Sequence, residues 1–275
     1  NFRQHQIGNA RQFALELVET NRPVLVNNPE QFDFPLAAQN IDGAFKRAVL
    51  IGKFSFHKNF SRAGDKMVIV AEVHGVFATN AYIYADDATR AGFLIDPGAE
   101  ADKLLQIINS RGLAIEKILL THGHFDHIGA AAEIQRELKI PICMQKNGRA
   151  YVENPVWNLS RACGLDITLD DVTYLDDNSE IILAANPAFR LKIIPVAGHT
   201  TDGATYYSAK DSVAFVGDSI FLGSFGRTDF YGGDEQRLFA ELKSKILTLP
   251  DDTVLLSGHS PPTTVGDEKT RPWFR

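Results

Sequence analysis

The feature that most constrains the fold is an alternation that starts at Met67, in which short apolar runs closed by turns are separated by amphipathic helical segments. Residues 117–145 show it in miniature. "KILL" (117–120) is a short buried strand that stops where a polar cluster begins, "IGAAAEIQRELK" (128–139) is helical, and "IPICMQ" (140–145) is again a strand. Further strands are predicted at "MVIVAEV" (67–73), "AYIYAD" (81–86) and "GFLIDPG" (92–98), the last ended by Pro97-Gly98. In the second half they fall at "AFRLKIIPV" (188–196), "ATYYSA" (204–209), "SVAFVGD" (212–218) and "TVLLSGH" (253–259). Helices are predicted at "EADKLLQIINSRG" (100–112), where Gly112 ends the apolar stripe, and at "GDEQRLFAELKSKILTLP" (233–250). Strands interleaved with helices indicate an α/β layered domain.

Residues 1–65 read differently. "NARQFALELVET" (9–20) and "FPLAAQNIDGAFKRAVL" (34–50) are helix-like, "PVLVNN" (23–28) is strand-like, and no motif with a chemical role stands there. We take 1–65 as an accessory segment, a candidate cover or subunit contact through which the chain could form a homo-oligomer, and 66–275 as the main domain. The net charge of −6 and the lack of a Lys/Arg block exclude a nucleic-acid stripe and a membrane anchor. No apolar run approaches the roughly 18 residues of a membrane span, and "NFRQHQIGNARQ" lacks the apolar core of a signal peptide. Cys143 and Cys163 show no paired metal spacing, and two thiols in 275 residues argue against a disulfide scaffold. The expectation is a soluble cytoplasmic protein.

Chemistry concentrates at the strand ends. His122, His124 and His127 follow "KILL", His199 lies in "PVAGHTTDG", and His259 in "LLSGHSPP"; Asp126 and Asp218 join them from "HFDH" and "VAFVGDS". Neutral imidazole and carboxylate are ligands that Zn²⁺, Fe²⁺ and Mn²⁺ all accept, and sites without thiolate that keep open positions are the catalytic kind. His122 and His124, two apart on an extended loop, can point the same way, whereas the adjacent Asp126 and His127 must diverge. That division suggests two metals. A lone histidine is usually a surface or satisfied core residue, which is how His5, His57 and His74 read.

"THGHFDHIGA" (121–130) resembles the HxHxDH signature of the metallo-β-lactamase superfamily. "AGHTTDG" (197–203), "FVGDSIFLGSFGRTDFYGGD" (215–234) and "SGHSPPTTVGDE" (257–268) are similar to its glyoxalase II-type branch, in particular the short bacterial members. The resemblance runs from Met67 to the end. It implies an αββα sandwich with the metals at one edge, His122, His124 and His199 holding the first ion, Asp126, His127 and His259 the second, and Asp218 bridging both. Asp126 and Asp218 are thus the catalytic carboxylates, and Asp96 in "LIDPG" would support the ligand loop from behind. Two divalent ions, Zn first with Fe or Mn also suited, would ready a hydroxide to attack a small-molecule thioester such as S-lactoylglutathione.

Glyoxalase II proper binds much of its glutathione through a C-terminal helical domain, whereas 16 residues follow His259 here, so the resemblance covers the hydrolytic centre alone. Arg227 in "FGRTDF" stands where the family often has a basic residue facing substrate, and it either pairs with a carboxylate of the thiol carrier or forms a structural salt bridge. Lys146 and Arg149 are weaker candidates for the same role. Three alternatives remain on this scaffold: a mononuclear iron persulfide dioxygenase, a lactonase or β-lactamase-like hydrolase, and a binding module with a vestigial site. "SGHSPPTT" disfavours the first, "GRTD" and "PPTTVGDE" the second, and the complete ligand set the third.

Overall fold

The computed structural model describes residues 66–274. The expectations for residues 1–65, with His5 and His57, lie outside them. The elements run β1 (Lys66–His74), β2 (Ala78–Asp86), β3 (Ala91–Ile95), α1 (Ala101–Ser110), β4 (Ala114–Leu120), α2 (Phe125–Ile128), α3 (Ala131–Leu138), β5 (Ile142–Gln145) and α4 (Arg149–Val152). They continue with β6 (Val172–Leu175), β7 (Glu180–Leu183), β8 (Asn186–Pro195), β9 (Ala204–Ser208), β10 (Val213–Gly217), β11 (Ile220–Phe221), β12 (Ser224–Phe225), α5 (Glu235–Glu241), β13 (Val254–Ser257), β14 (Thr263–Thr264) and α6 (Val265–Lys269).

Among the described residues two six-stranded sheets form, ordered β1-β2-β3-β4-β5-β6 and β14-β13-β10-β9-β8-β7, beside the small pair β11-β12. Period-2 alternation explains why they stack. Tyr82, Tyr84, Phe93, Ile95 and Leu119 of the first sheet pack against Phe189, Leu191, Ile193, Tyr206 and Phe215 of the second in one buried cluster. The intervening residues Ile83, Leu94, Ile118 and Leu120 face the other way and bury Leu104 and Ile108 of α1 and Ile134 of α3. Ala214, Val216 and Leu255 likewise cover Leu238 of α5, with Leu242 and Ile246 of the π-helical turn that prolongs it. Helices outside and sheets inside make the αββα sandwich.

The helix expected at 128–139 is broken in two, with α2 starting at Phe125 inside the polar cluster and α3 at Ala131. The strands β6, β7, β11, β12 and β14 are too short or too near an edge to stand out in the sequence and are not among the predicted ones; β6 has no fully buried residue. Gly112 takes φ 58 just after α1, as a left-handed helix stop does. No helix among the described residues is long and apolar enough to cross a membrane.

Strand direction then decides where polar residues gather. β3, β4 and β5 are parallel, β10 and β13 are parallel, and β8 runs with β10 because each is antiparallel to β9. The C-terminal ends of β3, β4, β8, β10 and β13 therefore emerge at one edge of the sandwich. The sheets are tied there by Ala204 N–H to the Thr121 carbonyl (2.8 Å) and by the Tyr206 hydroxyl to the Leu120 carbonyl (2.7 Å).

Candidate metal centre

Each strand end at this edge delivers a polar side chain. Asp96 follows β3, Thr121, His122 and His124 follow β4, His199 lies beyond β8, Asp218 follows β10, and His259 follows β13. Asp126 and His127 come from α2, which His124 caps in extended conformation. A register irregularity between Phe215 and Gly217, with Gly217 at φ 52, turns Asp218 out of β10 and into the edge. The β2 start fixes the last loop: Asn80 N–H donates to the Gly258 carbonyl (2.7 Å), and the Tyr82 hydroxyl to the Ser257 carbonyl (2.6 Å). Gly258 leaves room for the cluster, since a Cβ there would lie 2.4 Å from Asp218 Oδ1 and 2.5 Å from His127 Cε1.

Hydrogen bonds fix the tautomers of the first group. His199 Nδ1–H donates to the Arg227 carbonyl (2.7 Å), which leaves its Nε2 a lone pair. Thr121 gives its hydroxyl proton to Asp96 Oδ2 (2.7 Å), so its oxygen accepts from His122 Nδ1–H (3.2 Å) and His122 Nε2 is likewise a lone pair. His124 Nδ1 lies 3.1 Å from His122 Nε2 and 3.0 Å from His199 Nε2. Metal–nitrogen bonds of 2.0–2.1 Å in tetrahedral array put nitrogens about 3.3 Å apart, close to these separations. Burial lowers the pKa of all three rings, that of His124 to about 3, so they are neutral, the form that ligates.

The second group is ionic. His259 Nδ1–H donates to the Ala78 carbonyl (2.8 Å), which aims Nε2 at Asp126 Oδ2 (3.0 Å) and Asp218 Oδ2 (3.2 Å). His127 Nδ1 faces Asp96 Oδ2 at 3.0 Å, and its Nε2 stands 3.4 Å from Asp218 Oδ1 and 3.8 Å from Asp126 Oδ2. Burial alone would lower both histidines, but the carboxylates Asp218 and Asp126 overcome it, raising His259 to about 10 and His127 well above its usual value. Asp126 and Asp218, which burial alone would raise, are held below the ordinary carboxylate range by the same histidines, Asp126 at about 2. Asp218 Oδ2 is also 3.8 Å from His199 Nε2, so this carboxylate reaches both groups.

The donor set fits divalent cations. His127 Nε2 and Asp218 Oδ1 are buried without a hydrogen-bond partner, a costly arrangement in the absence of a positive charge. Among the described residues, three sets bring ligand atoms within 4.8 Å of one another: His122, His124 and His199; His122, His127 and Asp218; and Asp126, His127 and His259.

All seven positions singled out as ligands thus converge, and Asp96 sits behind them. Asp96 is buried at φ 50, and its oxygens take Thr121 N–H (2.8 Å), the Thr121 hydroxyl and His127 Nδ1. A non-glycine residue held left-handed is a strained position that the three contacts retain. Arg227 pairs with Asp229 (2.9 and 2.6 Å) and lies over the Phe230 ring (4.4 Å), whose centre is 5.8 Å from that of His124. Lys146 only approaches Asp176 and Asp177, and Arg149 pairs with Glu153 and stacks on Tyr174, so neither joins the centre. His74 is exposed beside Glu72, away from the cluster.

Thr121, Asp202 and Tyr151 were not singled out by sequence. Thr121 and Asp202 stand inside quoted motifs next to ligands, the one available signal; Tyr151 had none. Asp202 is fully buried and faces Gly123, and burial pushes its carboxyl up to about 6.

The family described as the metallo-beta-lactamase superfamily matches residues 74–259. The chain is 34% identical to the "Probable metallo-hydrolase YqgX" of Bacillus subtilis (strain 168), over 71% of this chain and 91% of that protein. It is 34% identical to the "Hydroxyacylglutathione hydrolase GloC" of Haemophilus influenzae, over 70% and 91%. Among solved structures, BLEG-1 B3 metallo-beta-lactamase superposes with TM-score 0.71 at 35% identity, covering 76% of this chain and 99% of that one. TTHA1623 in a di-iron-bound form gives TM-score 0.66 at 33% identity, covering 75% and 100%.

Proposed function

The chain belongs to the metallo-β-lactamase superfamily, and from that membership and the geometry of the centre we propose a dinuclear metal-dependent hydrolase that cleaves a glutathione-type thioester such as S-lactoylglutathione. The observation that carries the metal assignment is the buried convergence of neutral imidazole lone pairs at 3.0–3.1 Å beside carboxylates and imidazoles within 3.8 Å. The di-iron form of TTHA1623 supports two ions, and the name of GloC supports the substrate class. Zn, Fe and Mn all suit the donors.

His122, His124 and His199 would hold one ion, Asp126, His127 and His259 the other, and Asp218 both. Bound there, divalent cations acidify water to a pKa of roughly 7 and polarise a carbonyl. The chain's own groups do the rest. Asp96 keeps the Nδ1 proton of His127, and the Arg227 and Ala78 carbonyls keep those of His199 and His259, so these three rings present Nε2 to the centre in a fixed orientation, while His124 presents Nδ1. Arg227, held on both oxygens of Asp229, would offer its guanidinium to a carboxylate of the thiol carrier, and Phe230 lies beside His124. A thiolate with a free-thiol pKa of about 8.5 leaves without an acid, which suits a site whose carboxylates are ionised.

The test is turnover of S-D-lactoylglutathione by metal-reconstituted protein, with metal counted on the same sample. Fast hydrolysis with about two ions per chain, abolished in Asp218→Ala, is expected. Activity surviving in that variant removes the assignment. The match to BLEG-1 favours a β-lactam as the second substrate to try, and hydrolysis of nitrocefin alone would move the reading there. Oxygen uptake with glutathione persulfide and one iron per chain would replace it with a dioxygenase.

A further inference from the structure

Tyr151, on α4, is fully buried and has no part in the chemistry above. Its side chain presses on the ligand loop: a Cβ on Gly123 would lie 2.5 Å from the Tyr151 Cβ, and its ring centre is 6.0 Å from that of His124. Its hydroxyl accepts from Thr201 N–H (3.0 Å), two residues beyond His199, and donates to the Tyr231 carbonyl (2.8 Å). One oxygen therefore joins the backbones of two different loops.

The second of these, residues 226–234, carries Arg227 and Phe230. It is gripped twice at one point, since Trp157 stacks on the Tyr231 ring (5.8 Å between centres, 13° between planes). Gly232 follows at φ 76, and a Cβ there would stand 2.3 Å from the Tyr151 hydroxyl oxygen. The gripping segment is itself pinned to α2, because the Asn158 carbonyl accepts Phe125 N–H (2.9 Å) and the Asn158 amide donates to the Tyr151 carbonyl (3.2 Å). Packing alone would be served by phenylalanine; the hydroxyl adds a defined distance between the His199 loop and the Arg227 loop.

We propose that Tyr151 is a positioning residue that sets the 226–234 loop against the metal-ligand loops and acts on substrate affinity through Arg227 and Phe230. This rests on the reading of that loop as substrate-facing. Tyr151→Phe keeps the ring and leaves two backbone groups without their partner. In the metal-loaded full chain, KM for S-D-lactoylglutathione should rise about fivefold to tenfold with kcat held within about twofold. Metal content should stay unchanged, and hydrogen exchange over 226–234 should quicken. A fall in kcat with loss of metal would overturn the proposal by showing that Tyr151 serves the ligand loop instead. Unaltered KM and exchange would overturn it as well. If the parent protein does not hydrolyse the thioester, that substrate reading fails by itself, and exchange with metal content still decides the role of Tyr151.

A second variant tests the close approach. Gly232→Ala meets the hydroxyl in the parent but not in Tyr151→Phe, so its effect on exchange over 226–234 should be smaller in the Phe background. The backbone strain at φ 76 and the approach to Thr201 Cγ2 (2.8 Å) are common to both backgrounds, so the difference between them reports the hydroxyl contact, and a larger effect in the Phe background would contradict the tie.

Discussion

Lowering pH should strip the two ions unequally. In the metal-free protein His122, His124 and His199 are neutral, their pKa values lowered by burial, so the first ion displaces no proton from them near neutrality. At the second position His259 titrates at about 10 and His127 is raised well above 6.5, so each holds a proton that the ion must expel. The sign follows: a ligand protonated below its pKa weakens apparent affinity about tenfold for each pH unit, and two such ligands about a hundredfold. For His259 alone at pH 7.5, lying about 2.5 pH units below a pKa of about 10 is worth about 3 kcal/mol against binding. Between pH 8.5 and 6.5, His259 alone should therefore lower affinity at the second position by about two decades, with His127 adding to the loss, while the first stays nearly flat. Competition with a chelator at several pH values measures the two constants. Titration calorimetry in buffers of different ionisation enthalpy counts the protons, with those of His259 and His127 expected at pH 7.5 on top of the one given up by the acidified water. Two equal, pH-independent constants would refute the division into a neutral and an ionic half.

Three further perturbations follow from the same contacts. Asp96→Ala removes the acceptor of His127 Nδ1 and of Thr121, and should weaken the second ion about 10- to 100-fold, seen as one residual metal per chain after dialysis. Asp202, fully buried with a pKa raised from 3.8 to about 6, is neutral in both states at low pH and resists ionisation only when folded, so its penalty appears as pH rises through that window and persists above it. Metal-free Asp202→Asn should therefore gain about 2 kcal/mol relative to the parent between pH 4 and pH 7.5, read from denaturant midpoints; a pH-independent difference would contradict the assigned shift. Phe215→Ala, in the layer between the sheets where the ring meets Tyr82 and Tyr84 at 5.4 Å, should cost about 3–5 kcal/mol in chemical denaturation.

What could be read from the residues and what could not divide along a physical line. Strands that bury both faces announce themselves: β3 and β10 are buried at every position, and "GFLI" and "VAFVG" are apolar throughout. Edge strands do not. β6 has no fully buried residue and β7 buries only Ile181 and Leu183, so runs as short as "VTYL" and "EIIL" do not stand out until a sheet recruits them. The ligands were legible because metal chemistry restricts residue type, and seven His and Asp positions at strand ends have few other uses. The side chains that hold the ligands still were not. A carbonyl at Arg227 or Ala78 can fix a histidine tautomer whatever side chain its residue bears, so the sequence carries no trace of that function. Tyr151 depends on a fold-specific meeting of Thr201 with Tyr231, 50 and 80 positions away along the chain. Such supports belong to the arrangement of backbones, and the residue types that allow it, a glycine at 232 or a tyrosine at 151, acquire meaning only once the loops are placed.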